Sequence, residues 1–306
     1  MPQKRLTDLF APGCATVIMG PTASGKSDLA FRLARFCGGE IVSADSMQFY
    51  RGLEIGVAKP SKEERAAVPH HLLDTMDISE KSDIFRFCDE AERTVRDIRA
   101  RGAVPIITGG SGLYLHAWIY GLDPLPAKQE LRDELDAKYD NEAHFPELVS
   151  YMKRHCPLDC ERFAGHRRKL IRACEVYLLS GKQMAELQSG RKNAPPRPDQ
   201  RSFVLCWDRD ALKDRIRRRA AEMLSHGWIE EAEVMIRNGL LSAPTAWQAL
   251  GYAQIGRYLK GEMNRTELLE SISTATWQFA RRQLTWFAHQ HPEAERISMP
   301  CEFTEA

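Results

Sequence analysis

Residues 15–37 read ATVIM, then GPTASGKS, then DLAFRLARFC. An apolar run of strand length meets a glycine-rich turn, and a helix with apolar Leu29, Ala30, Leu33 and Ala34 on one side follows. This is a full GxxxxGK(S/T) phosphate-binding loop in its strand–loop–helix setting, so it commits the chain to an α/β sheet. The glycines let backbone N–H groups turn toward a phosphate, and the helix start adds the positive end of its dipole. Gly20, Pro21, Thr22, Ala23, Ser24, Gly25, Lys26 and Ser27 are therefore candidate phosphate-binding residues. Lys26 reaches terminal phosphate oxygens, and the Ser27 hydroxyl is a candidate magnesium ligand.

The following segments extend that sheet. Residues 40–44 form a second strand whose carboxyl end delivers Asp45 and the sequence DSMQFY. In an open α/β sheet that edge faces the ligand, so Asp45 is expected near the phosphate loop. Residues 51–82 read as irregular, and their adjacent His70 and His71 point in different directions, which suits packing or backbone hydrogen bonding better than a shared metal. An amphipathic helix over 84–101 leads to a buried strand at 104–108. GGSGLY, residues 109–114, then makes a second glycine-rich strand-to-helix turn. Two such turns at one sheet edge would frame a polar crevice, although glycine also permits close helix packing.

The pattern changes at about residue 123. Helices are expected at 129–139, 145–155 and 167–179 with no strand between them, and the linker RKNAPPRPDQ at 191–200 closes the segment with three prolines. A strand at 202–207 is followed by helices at 210–225, 229–237, 251–260 and 265–289. In the last, Trp277, Ala280, Leu284 and Phe287 form a core stripe, with Arg281, Arg282 and Gln283 read as pointing elsewhere. The expected architecture is α/β: a P-loop NTPase-like core with a central parallel sheet and an all-helical insertion domain. Its parts are 1–122, the insertion 123–200, and 201–306.

Several classes of function are disfavoured by composition. No apolar run approaches about 18 residues and no signal sequence opens the chain, so neither membrane nor export is expected, and the compartment is the cytoplasm. The eight cysteines are scattered, as reduced thiols are. Cys156, Cys160 and neighbouring His155 lack the second ligand pair of a metal site. Net charge is only +1, yet basic residues cluster at 166–172 and again at 209–219. Either cluster is a solvated helix face or a nucleic-acid contact, and charge alone leaves that open. The phosphate loop itself admits a small-molecule kinase, an RNA-dependent ATPase or regulatory module, or a transferase that holds a pyrophosphate leaving group. A kinase or ATPase usually ends an apolar strand in an acid, whereas 104–108 ends in GGSG; Asp45 could substitute, so the kinase stays open.

A wider set of motifs narrows the choice. GPTASGKS, SADSMQFY, RGLEIGVAKP, PHHLLD, GGSGLY, RACEVYLLSGK, QALGYAQI and ARRQLTWF occur in this order from about residue 15 to residue 287. Together they resemble the tRNA dimethylallyltransferases over nearly the whole chain. The resemblance implies transfer of a dimethylallyl group from dimethylallyl diphosphate to N6 of the adenosine just 3′ of the anticodon, releasing pyrophosphate; a monomer is expected, with the magnesium that the loop already suggests. The resemblance also implies an insertion that grips the tRNA anticodon stem-loop. On matching motifs it makes Gly20 to Ser27 the diphosphate loop and Asp45 the general base. Ser46, Met47 and Gln48 would line the flipped adenine, Ser111 would sit beside it, and Arg215 would hold diphosphate. Arg132, then Arg168, Lys169, Leu170, Ile171 and Arg172, then Gln248, Ala249, Leu250, Gly251, Tyr252 and Ala253 match tRNA-contacting positions.

Three departures stand out. Ser111 replaces the usual threonine, Phe279 a usual tyrosine, and FAGHR at 163–167 a stretch that usually reads close to HPNDP. The last bears on RNA contact more than on catalysis.

Overall fold

A computed structural model describes residues 2–188 and 194–305. Residues 191–193 of the expected linker lie outside them. The described chain divides into a helical unit, Tyr120–Pro196, and a larger α/β unit made of the segments before and after it.

The α/β unit opens with β1 (Gln3–Arg5), a short 3-10 turn, and β2 (Ala15–Met19). It continues through α1 (Lys26–Cys37), β3 (Glu40–Ser43), α2 (Lys62–Ala67), β4 (His70–His71), α3 (Ile84–Ala100), β5 (Pro105–Gly109) and α4 (Gly112–Tyr120). The helical unit holds α5 (Gln129–Tyr139), α6 (Phe145–His155), α7 (Pro157–Phe163), α8 (Arg167–Ser180) and α9 (Met184–Leu187). The chain then returns through β6 (Gln200–Trp207), α10 (Arg209–Ser225), α11 (Trp228–Arg237), α12 (Tyr252–Leu259), α13 (Arg265–Gln290), β7 (Glu295–Met299) and β8 (Glu302–Thr304).

Six strands form one parallel sheet in the order β4-β3-β5-β2-β6-β7. The central strands β2 and β5 are buried at every residue, as continuous apolar runs of a two-sided parallel sheet should be. Helix α1 packs Leu29, Ala30, Leu33 and Ala34 onto this sheet and ends at Gly38, whose φ of 64° supplies the left-handed C-cap. Asp208 caps α10 by accepting from the N–H groups of Asp210 and Ala211, and Asn264 with Glu267 forms a capping box on α13.

No element is expected from the sequence before residue 15, yet β1 pairs with β8, and Leu6 and Leu9 join Ile297 and Phe303 in the core. One expectation is corrected: 51–82 is not wholly irregular, since it contains α2 and the edge strand β4. Within β4 the two histidines do diverge. His70 Nδ1 meets the Val68 carbonyl at 2.8 Å, and His71 Nε2 meets Glu40 at 2.6 Å.

The helical unit has its own core of Leu135, Leu148, Met152, Phe163, Leu170 and Ile171 among others, which also takes up Cys156 and Cys160. Burial pushes the Cys156 thiol up to about 12. Asp159, fully buried, accepts from the N–H groups of Met184 and Ala185 and so fixes the start of α9.

Candidate active site

Strands β3, β5 and β2 are neighbours, and the parallel register sets Met19 beside Gly109, so the turns that follow β2 and β5 leave the same edge side by side. In the first turn Ala23 and Gly25 have φ of 63° and 85°, which curls the backbone around the start of α1. Helix α1 begins at Lys26, two residues earlier than its apolar period suggests, so Lys26 and Ser27 occupy its first turn. Lys26 Nζ donates to the Pro21 carbonyl at 3.3 Å.

Two side chains from the returning half brace this loop. Arg215 Nε donates to the Ala23 carbonyl at 2.9 Å, and Trp207 Nε1 to the Ser24 carbonyl, also at 2.9 Å. The Arg215 guanidinium lies over the Trp207 ring, 4.3 Å from its centroid. Arg215 therefore stands at the loop, where the motif reading expects it. Arg219 follows one turn later on α10, and its charge acts on Lys26, Asp45 and Asp28. Charge counting left its cluster open between a solvated helix face and a nucleic-acid contact; its spacing of four from Arg215 was the available signal.

The second turn meets the end of β3 at contact distance. A Cβ on Gly109 would lie 2.2 Å from the Ala44 carbonyl oxygen, so only glycine lets the two strand ends approach this closely. Ser111 N–H donates to the Ala44 carbonyl at 3.3 Å, and the Ser111 hydroxyl accepts from Ser46 N–H at 3.0 Å. Asp45 Oδ1 accepts from Met47 N–H at 3.1 Å. Asp45, Ser46 and Ser111 are thus held together beside the phosphate loop. Gln48 is occupied differently: its side chain accepts from Ser43 Oγ and donates to the carbonyls of Val57 and Ala58, closing its own loop. Met47 stays part-exposed at this edge.

Burial lowers the pKa of Lys26 to about 8, partly countered by the Asp45 carboxylate. The sign follows from linkage. With a folded value below the usual 10.5, Lys26 makes stability rise between about pH 8 and 10.5, because the unfolded chain holds more protons there. An anion beside Lys26 favours the cation. The ratio of parent to Lys26→Met pyrophosphate affinity, measured by calorimetry so that the ligand's own protonation cancels, is expected to be flat below pH 8 and to fall above it by up to about tenfold per pH unit.

No cluster of three or more His, Cys, Asp or Glu side chains able to hold a metal occurs among the described residues. The donors at hand are Ser27, exposed at the start of α1, and whatever phosphate oxygens the loop binds. That set suits magnesium, which keeps several waters and binds chiefly through substrate phosphates.

The remaining predicted positions are spread along α8, α5 and the approach to α12. In the helical unit Leu170 and Ile171 are core residues, while Arg168 and Lys169 are exposed. Arg132 and Arg172 both pair with the fully buried Glu175 carboxylate, at 2.7 and 2.6 Å, and Lys128 N–H donates to it as well. Of FAGHR, Phe163 is core and Arg167 pairs with Glu142 and Asp140. In the α/β unit Gln248 and Ala253 are exposed, Leu250 is part-buried, and Ala249, Gly251 and Tyr252 are buried. Tyr252 Oη donates to Glu231, whose carboxylate also accepts from the N–H groups of Glu54, Ile55 and Gly56.

Sequence reasoning misplaced one residue at the site. Gln283 is buried, not turned away: its Oε1 accepts from Thr22 N–H and its Nε2 donates to the Gly110 carbonyl, both at 2.8 Å. Steps of three and four from Ala280 and to Phe287 put it on the core stripe.

A family model described as IPP transferase matches residues 48–290, most of the chain. The chain belongs to that family. The curated relatives agree: the tRNA dimethylallyltransferase of Paenarthrobacter aurescens is 40% identical over 90% of this chain and 88% of its own. That of Methylococcus capsulatus is also 40% identical, over 88% of each chain. Among solved structures, a tRNA delta(2)-isopentenylpyrophosphate transferase from Staphylococcus epidermidis aligns at TM-score 0.65 with 30% identity, covering 92% of both chains. A eukaryotic dimethylallyltransferase acting on tRNA aligns at TM-score 0.78, covering 92% of this chain and 73% of that one; at 24% identity it speaks to the fold. The family's P-loop NTPase-like architecture is therefore the architecture of this chain.

Proposed function

We propose that this IPP transferase moves the dimethylallyl group of dimethylallyl diphosphate to N6 of the adenosine just 3′ of a tRNA anticodon, releasing diphosphate. The observation that carries this reading is that the turns after β2 and β5 leave one sheet edge side by side, the second of them in contact with the end of β3. That arrangement sets a phosphate-binding loop beside a carboxylate and two serines suited to a base.

The exocyclic amine of adenine is a poor nucleophile because its lone pair is conjugated into the ring. As the new C–N bond forms and the C–O bond to diphosphate breaks, Asp45 accepts the amine proton, a role that contributes about 10²–10⁴ in rate. The allylic carbon becomes cation-like, and the departing diphosphate gathers charge. Lys26, the loop amides and Arg215 stabilise that charge from fixed positions. Magnesium, when bound through Ser27 and the diphosphate, supplies further neutralisation of the leaving group. The target base must first leave its stack, at a cost of a few kcal/mol that contacts to the stem-loop offset.

Those contacts are assigned to the helical unit and to the segment 248–253. No helix among the described residues is long and apolar enough to cross a membrane. A cytoplasmic monomer acting on free tRNA is the simplest form of the proposal. Within α8 the two kinds of basic residue should separate. Neutralising Arg168 and Lys169 together is expected to lower the salt slope of stem-loop binding by roughly 1–2, one released counterion per lost phosphate contact. Arg172→Ala is expected instead to lower thermal stability, since it strips a partner from the buried Glu175. An unchanged slope in the double variant would make the exposed pair a solvated face only.

The deciding experiment incubates an anticodon stem-loop RNA with the protein, magnesium and either dimethylallyl diphosphate or ATP, and weighs the RNA. A gain of one dimethylallyl unit with the first ligand alone is expected. ATP hydrolysis without added mass, or phosphate appearing on a small metabolite, would replace the transferase with an ATPase or a kinase.

A further inference from the structure

Gln283 is a buried polar side chain of α13 that the proposed chemistry leaves unused. A primary amide on an otherwise apolar helical stripe is out of place unless both its ends are bonded, and here they are. Thr22 N–H can only donate and the Gly110 carbonyl can only accept, so the amide has one orientation: oxygen to the phosphate loop, nitrogen to the second turn. The side chain is buried, which makes loss of either bond costly. Gly110 leaves no slack on its side, because a Cβ there would sit 2.4 Å from Gln283 Nε2. The same point lies 3.6 Å from Lys26 Nζ. The two turns are therefore bridged beyond the sheet by one side chain from α13.

We infer that Gln283 is a positioning residue, a strut that fixes the spacing between the diphosphate loop and the Ser111 turn, and hence between the allylic carbon and the adenine amine. The inference rests on the transferase reading above. Thr22 N–H is spent on this strut and is not available to a phosphate oxygen. Binding of either substrate alone leaves the strut with little to do, since each is held by one turn. The reaction requires both at once, and a misplacement of about 1 Å between reacting groups can cost about 10²-fold.

The test is steady-state kinetics with stem-loop RNA and dimethylallyl diphosphate on Gln283→Met, which keeps length and packing but bonds to neither turn. Gln283→Glu, which keeps the acceptor for Thr22 and loses the donor for Gly110, is measured beside it. The expected result is a kcat lower by roughly 10–100-fold in both, with each KM within about threefold of the parent. A residue that only stabilises the fold would lower the melting temperature and leave kcat per folded molecule unchanged. Should Gln283→Met fail to fold, Gln283→Glu decides alone. A kcat within twofold of the parent, or a loss confined to KM, overturns the inference. A parent protein that transfers nothing sinks the transferase reading instead, so the two failures are distinguishable.

Discussion

Asp45→Asn is expected to lower kcat by about 10²-fold or more while leaving the KM for dimethylallyl diphosphate nearly unchanged. The substitution is close to isosteric, and an amide oxygen can still accept from Met47 N–H, so the turn at the end of β3 should keep its shape. What is lost is the capacity to take a proton from the adenine amine, which matters only in the transition state. If Asp45 acted instead by organising magnesium, the same change would weaken diphosphate binding in a magnesium-dependent way. Kinetics at several magnesium concentrations, with pyrophosphate affinity measured separately, tells these apart. Near-normal turnover in the Asn variant would remove Asp45 from the reaction.

Gly109→Ala is expected to cost about 3 kcal/mol or more of folding stability, at or beyond the upper end of the range for overpacking a core. The new methyl group would meet a backbone carbonyl, that of Ala44, and a hydrogen-bonded strand end cannot swing aside as a side-chain tip can. Gly165→Ala is the control: it has open space around it and ordinary φ, and should fall within about 0.5 kcal/mol of the parent. Denaturant titration of both variants reads the difference. A mild Gly109→Ala would mean that β3 and β5 can part, and with them the Asp45–Ser111 cluster.

Legibility followed the range of the interactions. The phosphate loop, its strand and its helix are local, so residues 15–37 could be read from spacing alone, and the helices at 129–139 and 145–155 start and end where their sequence signals say. The pairing of β1 with β8 joins the two ends of the chain through strands of three residues, too short for any period to register. The edge strand β7 is also hard to read: among the described residues its only strand partner is β6, and its residues alternate weakly between exposed and buried. At the site, Asp45 and the glycine turns were visible because strand ends in such sheets face the ligand. Gln283 was misread because polarity was allowed to outweigh helical phase, and Arg219 was missed because its basic cluster was weighed only as a solvated face or a nucleic-acid contact. Arg132 and Arg172 carry the reverse lesson. The motif match gave them an RNA partner, and much of their charge is spent on Glu175; its spacing of three from Arg172 on α8 was readable, whereas Arg132 lies 43 residues away from it.

The place of β6 has a consequence for how this molecule is made. Strand β2 lies at the middle of the finished sheet, yet its partner on one side comes from residues 200–207, about ninety residues after β5 completes the other side. Ribosomes add about 5–20 residues per second, so the nascent chain spends roughly 5–18 seconds with an apolar, unpaired strand edge at its centre. The whole helical unit is synthesised during that interval. Until β6 emerges, the half-sheet is a template for wrong pairing, and cells that make this protein quickly should need a chaperone to cover it.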